Sequence, residues 1–537
     1  MTVDRRSFLG VLGAAASLPG EAIAAPPPGE ITFVHGVASG DPSAHGAVLW
    51  TRVTAMPAHT AAIPVRWYVA DATRTVASGH AEARSSRDWT VKVVPQTLQP
   101  GRPYRYWFEA GGQRSPEGQF RTLPVGPTED LVLGVATCSL YTGGFFNAYK
   151  AMAQAQRLDA VIHLGDYIYE YGQEGYGGTI GNRIGRHVDP PHEIVTLADY
   201  RRRHAHYKRD PDLQALHARA AMIAVWDDHE SANDSWTGGA ENHQPATEGS
   251  WAARKAAAMQ AYFEWMPIRD PVPGQPWAAI NRSFRFGDLA TLAMVETRLL
   301  ARSEQTEVET HREPAFFAAE LARLADPSRE MLGEGQRRWL EGELTRSVRA
   351  GEPWQLLGNQ VVMAKIAGVA IDPAKVPENY RAQVEAAQAS YAAGLPFQPD
   401  SWGGYPAARE RLYATFRRAG SRPVVLSGDS HAHWANRLLN AGGTPVAAEF
   451  ATTAITSPSL GDAMPEVPVG QLLADANEEV LWCDQRAKGY ILLTLTHERA
   501  RAEYRAVSTV TAPAFTETTL TTWETMARDP TVALRRV

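Results

Sequence analysis

The sequence has only two cysteines among its 537 residues, Cys138 and Cys483. So few thiols, so far apart, exclude a scaffold held by disulfides and a zinc knuckle. Lysine and arginine do not outnumber the acidic residues, and the net charge of −6 excludes the basic surface typical of nucleic-acid-binding proteins. No stretch reaches the roughly 20 apolar residues that a transmembrane helix needs. With 44% hydrophobic residues, the chain has material for two or more globular domains.

The first 25 residues have the character of an export signal. Arg5 and Arg6 precede a short apolar stretch, and Ala22-Ile23-Ala24 supplies small residues for cleavage. The pattern is similar to a twin-arginine signal, which predicts recognition by the twin-arginine export machinery and a periplasmic or extracellular protein. Because that route carries folded proteins, a metal could be inserted before export.

Residues 26–124 are predicted to form an all-β domain. Segments such as 65–69 and 104–108 are short and alternating, which is typical of strands. Their spacing is similar to that of a fibronectin type III β-sandwich. Since this region carries no cluster of candidate catalytic residues, we expect it to have a packing or positioning role. A catalytic domain is expected over residues 128–510, followed by a C-terminal extension over residues 511–537.

From residue 130 onwards, apolar segments alternate with helical ones, and this βαβ pattern indicates an α/β domain. Five apolar segments read as strands that end in side chains able to bind a metal. Because the carboxyl ends of strands in an open α/β sheet meet at one edge, we expect these side chains to lie close together. In chain order they are Cys138; Asp166 and Tyr169; Asp228 and His229; Asn359; and Asp429, His431 and His433.

Any one of these side chains carries little information alone. A Gly-Asp pair after a strand is more often a capping residue, and an isolated histidine is more often an ordinary core or surface residue. Repetition at five strand ends favours a site for two or more metal ions. Hydrolysis of a phosphate ester suits such a site, since one cation activates water or hydroxide while another neutralises charge on the phosphoryl oxygens.

Three motifs in this order resemble the calcineurin-like metallophosphoesterases and purple acid phosphatases: Gly165-Asp166-x-x-Tyr169, Asp228-His229-Glu230 and Gly428-Asp429-x-His431. The closer resemblance is to the alkaline phosphatase D, or PhoD-like, family. It covers nearly the whole chain and implies an α/β fold, a two-sheet α/β/β/α metallophosphoesterase sandwich preceded by the all-β domain. The further segments that carry it are residues 36–42, 49–52, 226–230, 240–243, 336–340, 358–360 and 456–458.

The resemblance also implies a ferric ion, Fe³⁺, with calcium beside it, most simply as two Ca²⁺ ions. Thiolate and phenolate groups donate strongly to iron, whereas calcium prefers hard oxygen ligands. Whether Asp429 or His431 completes the iron shell stays open. The implied iron ligands are Cys138, Asp166, Tyr169 and the turn 428–431, and the implied oxygen ligands of calcium are Asp166, Asp228, Asn359 and Asp429.

Asp166 would bridge the two kinds of ion. Cys138 stands where the wider superfamily has an aspartate, and Asp228 and Asp429 stand where it has asparagine and histidine, so a pair of zinc or manganese ions fits less well. His229 occupies the position of the motif histidine. The role implied for it is proton donation to the leaving oxygen or a contact to phosphate.

Other polar residues have two interpretations each. Asn233 is either a ligand or a hydrogen-bond partner of one. Arg298 either clamps a phosphoryl oxygen or forms a structural ion pair. The basic run 201–203 is either a solvated helix face or a region that attracts phosphate. His433 is a candidate for a substrate contact, and Cys483 is interpreted as a buried thiol.

The sequence therefore predicts a secreted phosphatase that hydrolyses phosphate monoesters and diesters by hydroxide attack, without a nucleophile from the protein. One alternative is a phosphodiesterase of phospholipase D type, and a more distant one is a non-enzymatic exported binding module. The glycine-rich residues 172–185 and the C-terminal extension 511–537 are expected to form the rim and a lid of the site. Flexible surface connection is the alternative for both segments.

Overall fold

The computed structural model describes residues 30–56, 61–306 and 313–537. The predicted export signal, residues 1–25, lies outside the described residues. The strands are β1 Glu30–Thr32, β2 Val37–Ser43, β3 Gly46–Arg52, β4 Thr54–Met56, β5 Ile63–Ala70, β6 Thr75–Ala83, β7 Thr90–Val93, β8 Pro103–Ala110, β9 Gln113–Arg114, β10 Gly118–Arg121, β11 Asp130–Ala136, β12 Ala160–His163, β13 Met222–Ala224, β14 Arg282–Phe286, β15 Ala290–Met294, β16 Trp354–Gly358, β17 Val424–Ser427, β18 His433–Leu439, β19 Pro445–Ala451, β20 Val480–Asp484, β21 Lys488–Thr496, β22 Arg499–Val507, β23 Glu517–Met526 and β24 Leu534–Arg536.

The α-helices lie mainly between the strands of the predicted catalytic domain. They are α1 Asn147–Ala153, α2 Gly178–Ile184, α3 Leu197–Tyr207, α4 Pro211–Arg219, α5 Pro245–Glu248, α6 Trp251–Trp265, α7 Pro314–Leu324, α8 Gly333–Arg349, α9 Glu378–Ala392, α10 Pro406–Ala419, α11 Leu460–Ala463 and α12 Val469–Ala476. Helix α3 begins with a capping box between Thr196 and Asp199, which satisfies backbone donors at its first turn.

Two large sheets pack against each other in the body of the molecule. One has ten strands in the order β24-β23-β22-β21-β11-β12-β13-β2-β3-β7, and the other has seven in the order β14-β15-β16-β17-β19-β18-β20. Side chains alternate along the inner strands: Leu356 and Val424 join the core between the sheets, whereas Leu357 and Val425 join a second core under α8 and α10. This arrangement confirms the predicted α/β sandwich.

The N-terminal β-sandwich is present, but one of its sheets continues into the catalytic part of the chain. Strand β2 pairs in parallel with β13 at Gly40 and Met222, so β2, β3 and β7 extend the ten-stranded sheet. A Cβ atom on Gly40 would lie 2.4 Å from the carbonyl oxygen of Met222, so only glycine permits this approach. Strands from both sides of the predicted boundary at residue 124 therefore belong to one sheet, and the boundary does not separate two independent domains.

The C-terminal extension corrects our expectation of a lid. Residues 517–526 form β23, which pairs with β22 from Glu517 opposite Val507 to Met526 opposite Arg499. Strand β24 then pairs with β23 at the edge of the same sheet. Strand β23 contains five threonines, a residue type that is favoured in strands, and most of the segment completes the sheet.

Within the described ranges, no helix is both long enough and apolar enough to cross a bilayer.

Candidate metal centre

Loops at the carboxyl ends of parallel strands bring most of the candidate ligands together. Strands β11, β12 and β13 are neighbours, and the loops after them carry Cys138, Asp166 and Asp228; the loop after β17 of the other sheet carries Asp429 and His431. Asp166 and Asp228 each belong to two groups of potential ligands, so the groups form one continuous cluster. In each group the ligand atoms lie within 4.8 Å of one another: Cys138, Asp166 and His431; Asp166, Asp228 and His229; and Asp227, Asp228 and Asp429.

Asp227 is the member that the sequence reasoning passed over. It lies in the same Trp226-Asp227-Asp228 segment, directly after β13, and its carboxylate is buried beside that of Asp228. The family motif drew attention to the second aspartate only. Two adjacent carboxylates at a strand end were a signal that could have identified both.

Four of the clustered residues have a left-handed backbone. The φ angles are 58° for Cys138, 56° for Asp166, 63° for Asp429 and 55° for His431. Residues other than glycine rarely adopt this region, and such strain concentrates at functional sites where neighbouring contacts enforce it. The loops are therefore held in conformations that aim these side chains at a common point.

Glu230 fixes two of these loops to each other. Its buried carboxylate accepts hydrogen bonds from the backbone N–H groups of Asp166 at 3.1 Å, Tyr167 at 2.7 Å and Asp227 at 2.8 Å. Gly165 allows the loops to meet, because a Cβ atom there would lie 2.4 Å from the Cβ of Asp227. The glycine of the motif thus makes room for the neighbouring loop.

The cluster concentrates negative charge away from water. Burial raises the pKa of Asp166 well above its ordinary value, and the Asp228 and Asp227 carboxylates raise it further against the opposing effect of His229. Burial likewise raises the pKa of the Cys138 thiol, with further contributions from Asp166 and Asp429. Without a compensating cation, these groups cannot all ionise together.

The donor set fits metal ions. Asp166 Oδ1, Asp227 Oδ2 and Asp228 Oδ1 are buried, and none has a hydrogen-bond partner in the part of the chain that the structure describes. Unpaired buried carboxylate oxygens are costly unless a cation binds them. A thiol, an imidazole and several carboxylates side by side therefore match a site of mixed ligand type.

Tyr169 lies at the same point. Its hydroxyl donates to Asp166 Oδ2 at 2.9 Å and lies 2.7 Å from the hydroxyl of Ser457, and its ring stacks on His229 with centroids 4.1 Å apart. His431 is oriented from the other side, since its Nδ1 lies 2.6 Å from the carbonyl oxygen of Pro458. That contact leaves Nε2 of His431 as the nitrogen available to a metal.

Glu170 orients His229, and the sequence reasoning assigned it no role. Its Oε2 lies 2.7 Å from His229 Nδ1, while its Oε1 accepts from the backbone N–H of Asn233 at 2.7 Å and from Asn242 Nδ2 at 2.9 Å. Burial lowers the pKa of His229, but the carboxylates of Asp228 and Glu170 outweigh it and raise the pKa well above its usual range. Glu170 therefore holds Nδ1 of His229 and leaves Nε2 as the nitrogen that it does not occupy.

Arg298 is the centre of an ion-pair network. Its fully buried guanidinium contacts four carboxylates: Asp227 at 2.5 Å, Asp400 at 2.8 Å, Asp429 at 3.4 Å and Asp228 at 3.6 Å. Of the two interpretations, the structural ion pair matches these contacts. Because its guanidinium nitrogens face carboxylates, Arg298 holds in place the three acidic residues of the cluster, Asp227, Asp228 and Asp429.

Three of the predicted site residues have other neighbours. Asn359 is buried, and its Oδ1 accepts from the indole of Trp402 at 2.9 Å. Asn233 Nδ2 donates to Glu241 at 3.1 Å. The backbone N–H of Asn233 donates to Glu170, and Asn233 contacts the centre through that residue. The ring of His433 lies in the core: its Nδ1 accepts from the backbone of Thr453 at 3.1 Å, and it packs against Trp482 and Tyr504.

Arg203, from the basic run 201–203, supports the centre through the backbone. It is fully buried, and its guanidinium donates to the carbonyl oxygens of Tyr169, of Tyr171 at 2.8 Å, of Pro190 at 2.8 Å and of His192 at 3.2 Å. Neither a solvated helix face nor attraction of phosphate describes this residue. It fixes the loop that carries Tyr169.

We expect Arg203→Ala to lower the free energy of unfolding by about 3–5 kcal/mol, because it leaves several buried carbonyl groups without a donor. Arg202→Ala is the matched control on the same helix, since Arg202 makes an exposed ion pair with Asp189 and its loss should cost about 1 kcal/mol or less. Thermal denaturation of the two variants measures the difference. Equal losses would contradict the role assigned to Arg203.

The geometry of the site agrees with the known proteins to which this chain is similar. The model of the PhoD-like phosphatase family matches residues 133–504, and that of the PhoD-like phosphatase N-terminal domain matches residues 20–124. Alkaline phosphatase D of Bacillus subtilis (strain 168) is 34% identical to this chain over an alignment of 540 residues, gaps included. The alignment covers 95% of this chain and 86% of that protein. A solved structure of PhoD aligns with a TM-score of 0.78 and 32% identity, over 97% of this chain and 93% of that one. The chain therefore belongs to the PhoD-like phosphatase family and is a phosphoric ester hydrolase.

Proposed function

We propose that the protein is an exported, metal-dependent phosphatase that hydrolyses phosphate monoesters and diesters. The observation that carries this proposal is the continuous cluster of three ligand groups, joined through Asp166 and Asp228, at the carboxyl ends of strands from both sheets. When bound, the metal ions would supply activation of water and neutralisation of phosphoryl charge. A nucleophile from the protein is not required.

The donor types suggest which ion each part of the cluster holds. Cys138, Tyr169 and His431 offer sulfur, phenol and imidazole ligands, which suit Fe³⁺, and Asp166 adds a carboxylate to them. We assign His431 rather than Asp429 to this shell, since His431 groups with Cys138. Asp227, Asp228 and Asp429 form a set of hard oxygen ligands, which suits Ca²⁺.

The chain itself would supply the proton that the leaving group needs. Glu170 holds His229 in one orientation through Nδ1, and a ring nitrogen of His229 lies within 4.8 Å of the carboxylates of Asp166 and Asp228. A protonated imidazole at this position can donate to the oxygen of the departing alcohol. Glu170 then keeps the ring oriented and stabilises its charge.

Metal removal tests this function. Chelation of calcium by EGTA should abolish turnover of 4-nitrophenyl phosphate, and added calcium should restore it, because the acidic half of the cluster suits a hard cation. Full activity in a calcium-free, zinc-loaded sample would contradict the assignment. Rates with the bis(4-nitrophenyl) ester and with phosphatidylcholine, measured on the same sample, decide between a phosphatase with diesterase activity and a phosphodiesterase of phospholipase D type.

The two cysteines provide a matched pair for the iron. Both are free and buried, but Cys138 lies in the cluster, whereas Cys483 lies in β20 beside Gln485. We expect Cys138→Ser to lose iron and the visible charge-transfer band of a thiolate and phenolate bound to Fe³⁺, since serine stays neutral. Cys483→Ser should keep both. Equal iron content in the two variants, measured by elemental analysis, would exclude Cys138 as a ligand.

Export is the second part of the proposal. It rests on Arg5, Arg6 and the small residues at 22–24, and replacing both arginines by lysine should retain the protein in the cytoplasm. Secretion of the doubly substituted chain at the normal level would exclude the twin-arginine route.

A further inference from the structure

Two tyrosines border the histidines of the candidate centre, and we call them the tyrosine wall: Tyr171, beside His229, and Tyr176, beside His431. The ring of Tyr171 lies 5.4 Å from that of His229 and 5.9 Å from that of Tyr176, which it meets at 61°. Tyr176 stacks on His431 with centroids 6.3 Å apart and an interplanar angle of 21°. Each ring therefore borders one of the two histidines of the centre.

The wall is held in position before any substrate arrives. The hydroxyl of Tyr176 donates to the carbonyl oxygen of Pro458 at 2.8 Å, and the carbonyl of Tyr171 accepts from Arg203 at 2.8 Å. Despite these contacts, Tyr176 remains 37% exposed, and Tyr171 is half-buried. Aromatic surface that is both fixed and accessible is available to a ligand at little cost in conformational entropy.

A charged leaving group would need an oppositely charged partner, whereas the wall offers it aromatic surface. Arg298 faces four carboxylates, and Arg203 is occupied by backbone carbonyls. Neither guanidinium is available to a second charge on the substrate. Tyrosine rings instead attract flat, polarisable groups through stacking and edge contacts.

We propose that the tyrosine wall binds the leaving group of the ester and favours a planar aromatic one, such as a phenol or a group that carries a nucleobase. This inference rests on the proposed function, because it places the leaving group of a bound ester at the candidate centre. An ester bound at the cluster that contains His229 and His431 would bring its leaving group against the rings that border these two histidines. Tyr171 and Tyr176 are then specificity-determining residues.

The test compares two phosphate monoesters whose leaving groups have similar acidity but different shape, phenyl phosphate and hexafluoroisopropyl phosphate. We expect the wild-type protein to prefer the phenyl ester in kcat/KM. Tyr171→Ala and Tyr176→Ala should each reduce that preference by roughly 5- to 30-fold, the effect of losing one stacking ring. An unchanged ratio of the two kcat/KM values in both variants would overturn the proposal.

Matched variants separate stacking from structural damage. Tyr176→Phe keeps the ring and loses the bond to Pro458, so it should keep the preference, whereas Tyr176→Leu keeps apolar bulk and should lose it. Tyr68→Ala is the distant control, since Tyr68 stacks on Trp107 in the N-terminal sandwich at 5.2 Å. If Tyr176→Leu keeps the preference, stacking by this ring is excluded.

A binding measurement keeps the inference distinct from the proposed function. Calorimetric titration of the metal-loaded protein with phenylphosphonate and methylphosphonate compares an aromatic with a small group without turnover. Tighter binding of phenylphosphonate that Tyr171→Ala abolishes supports the wall, even if neither ester is hydrolysed and the proposed function fails. Hydrolysis of both esters with equal affinity for the two phosphonates would contradict the wall alone.

Discussion

Replacing His229 by alanine should lower kcat by roughly 100- to 10,000-fold, with the largest losses for esters of poor leaving groups such as alkyl alcohols. The reason is that His229, in its proposed role, gives a proton to the leaving group, while Glu170 occupies its Nδ1 at 2.7 Å. Rates for a series of aryl and alkyl phosphates measure this dependence, and metal content should stay near normal. Equal losses across the series would point to a phosphate-binding or structural role.

Glu170→Gln should reproduce this pattern in weaker form, with kcat lowered by about 10- to 100-fold. Glutamine keeps the size of the side chain but removes the charge that stabilises the protonated imidazole. Because Glu170 acts through His229, the loss should again grow with the pKa of the leaving group, which a merely structural defect would not cause. Glu241→Gln is the control, since Glu241 also bonds Asn233 but does so at the surface.

Asp166→Asn should remove bound metal and lower kcat/KM by roughly 1000-fold or more. Asp166 belongs to two of the three ligand groups, and its Oδ1 has no hydrogen-bond partner among the described residues. An amide has no charge to offer two cations. Elemental analysis and kinetics on the same preparation measure both effects.

Asp130→Asn is the matched control for this substitution. Asp130 begins β11, at the opposite end of the strand from the centre, and it makes an exposed ion pair with Arg157 at 2.6 Å. Its loss should leave metal content and activity unchanged. If Asp166→Asn behaved like Asp130→Asn, the joining position assigned to Asp166 would be wrong.

The sequence was sufficient for the features that depend on local pattern. Short apolar strands followed by polar residues predicted the sheet edge at which Cys138, Asp166, Asp228, His229, Asp429 and His431 come together. The prediction was possible because a parallel sheet places the carboxyl ends of all its strands at one edge. The two-sheet sandwich was predictable from the resemblance to a known family.

Contacts between distant segments were not predictable in the same way. Glu230, Glu170 and Arg203 act by bonding backbone groups or a ring from other loops, and such partners leave no periodic or spacing signal. Charge alone suggested an exposed surface for Arg203, but this side chain is buried among five backbone carbonyl acceptors. Side chains that fix loops become visible only when the loops are placed in three dimensions.

The ends of the helices and the pairing of the C-terminal segment were also not predictable from the sequence. Helix α1 spans only Asn147–Ala153, since Phe145 just before it and Asn147 at its first position both bond to the 509–512 loop. The extension 511–537 was expected to form a lid. Its pairing with β22 depends on a sheet edge that no local pattern shows.

The most direct test of the account is elemental analysis of the purified full-length protein together with its phosphatase activity. The account predicts that iron and calcium copurify with the chain in fixed amounts, that the concentrated protein is coloured, and that activity rises and falls with both metals. A colourless protein free of iron and calcium that hydrolyses phosphate esters at the full rate would contradict it.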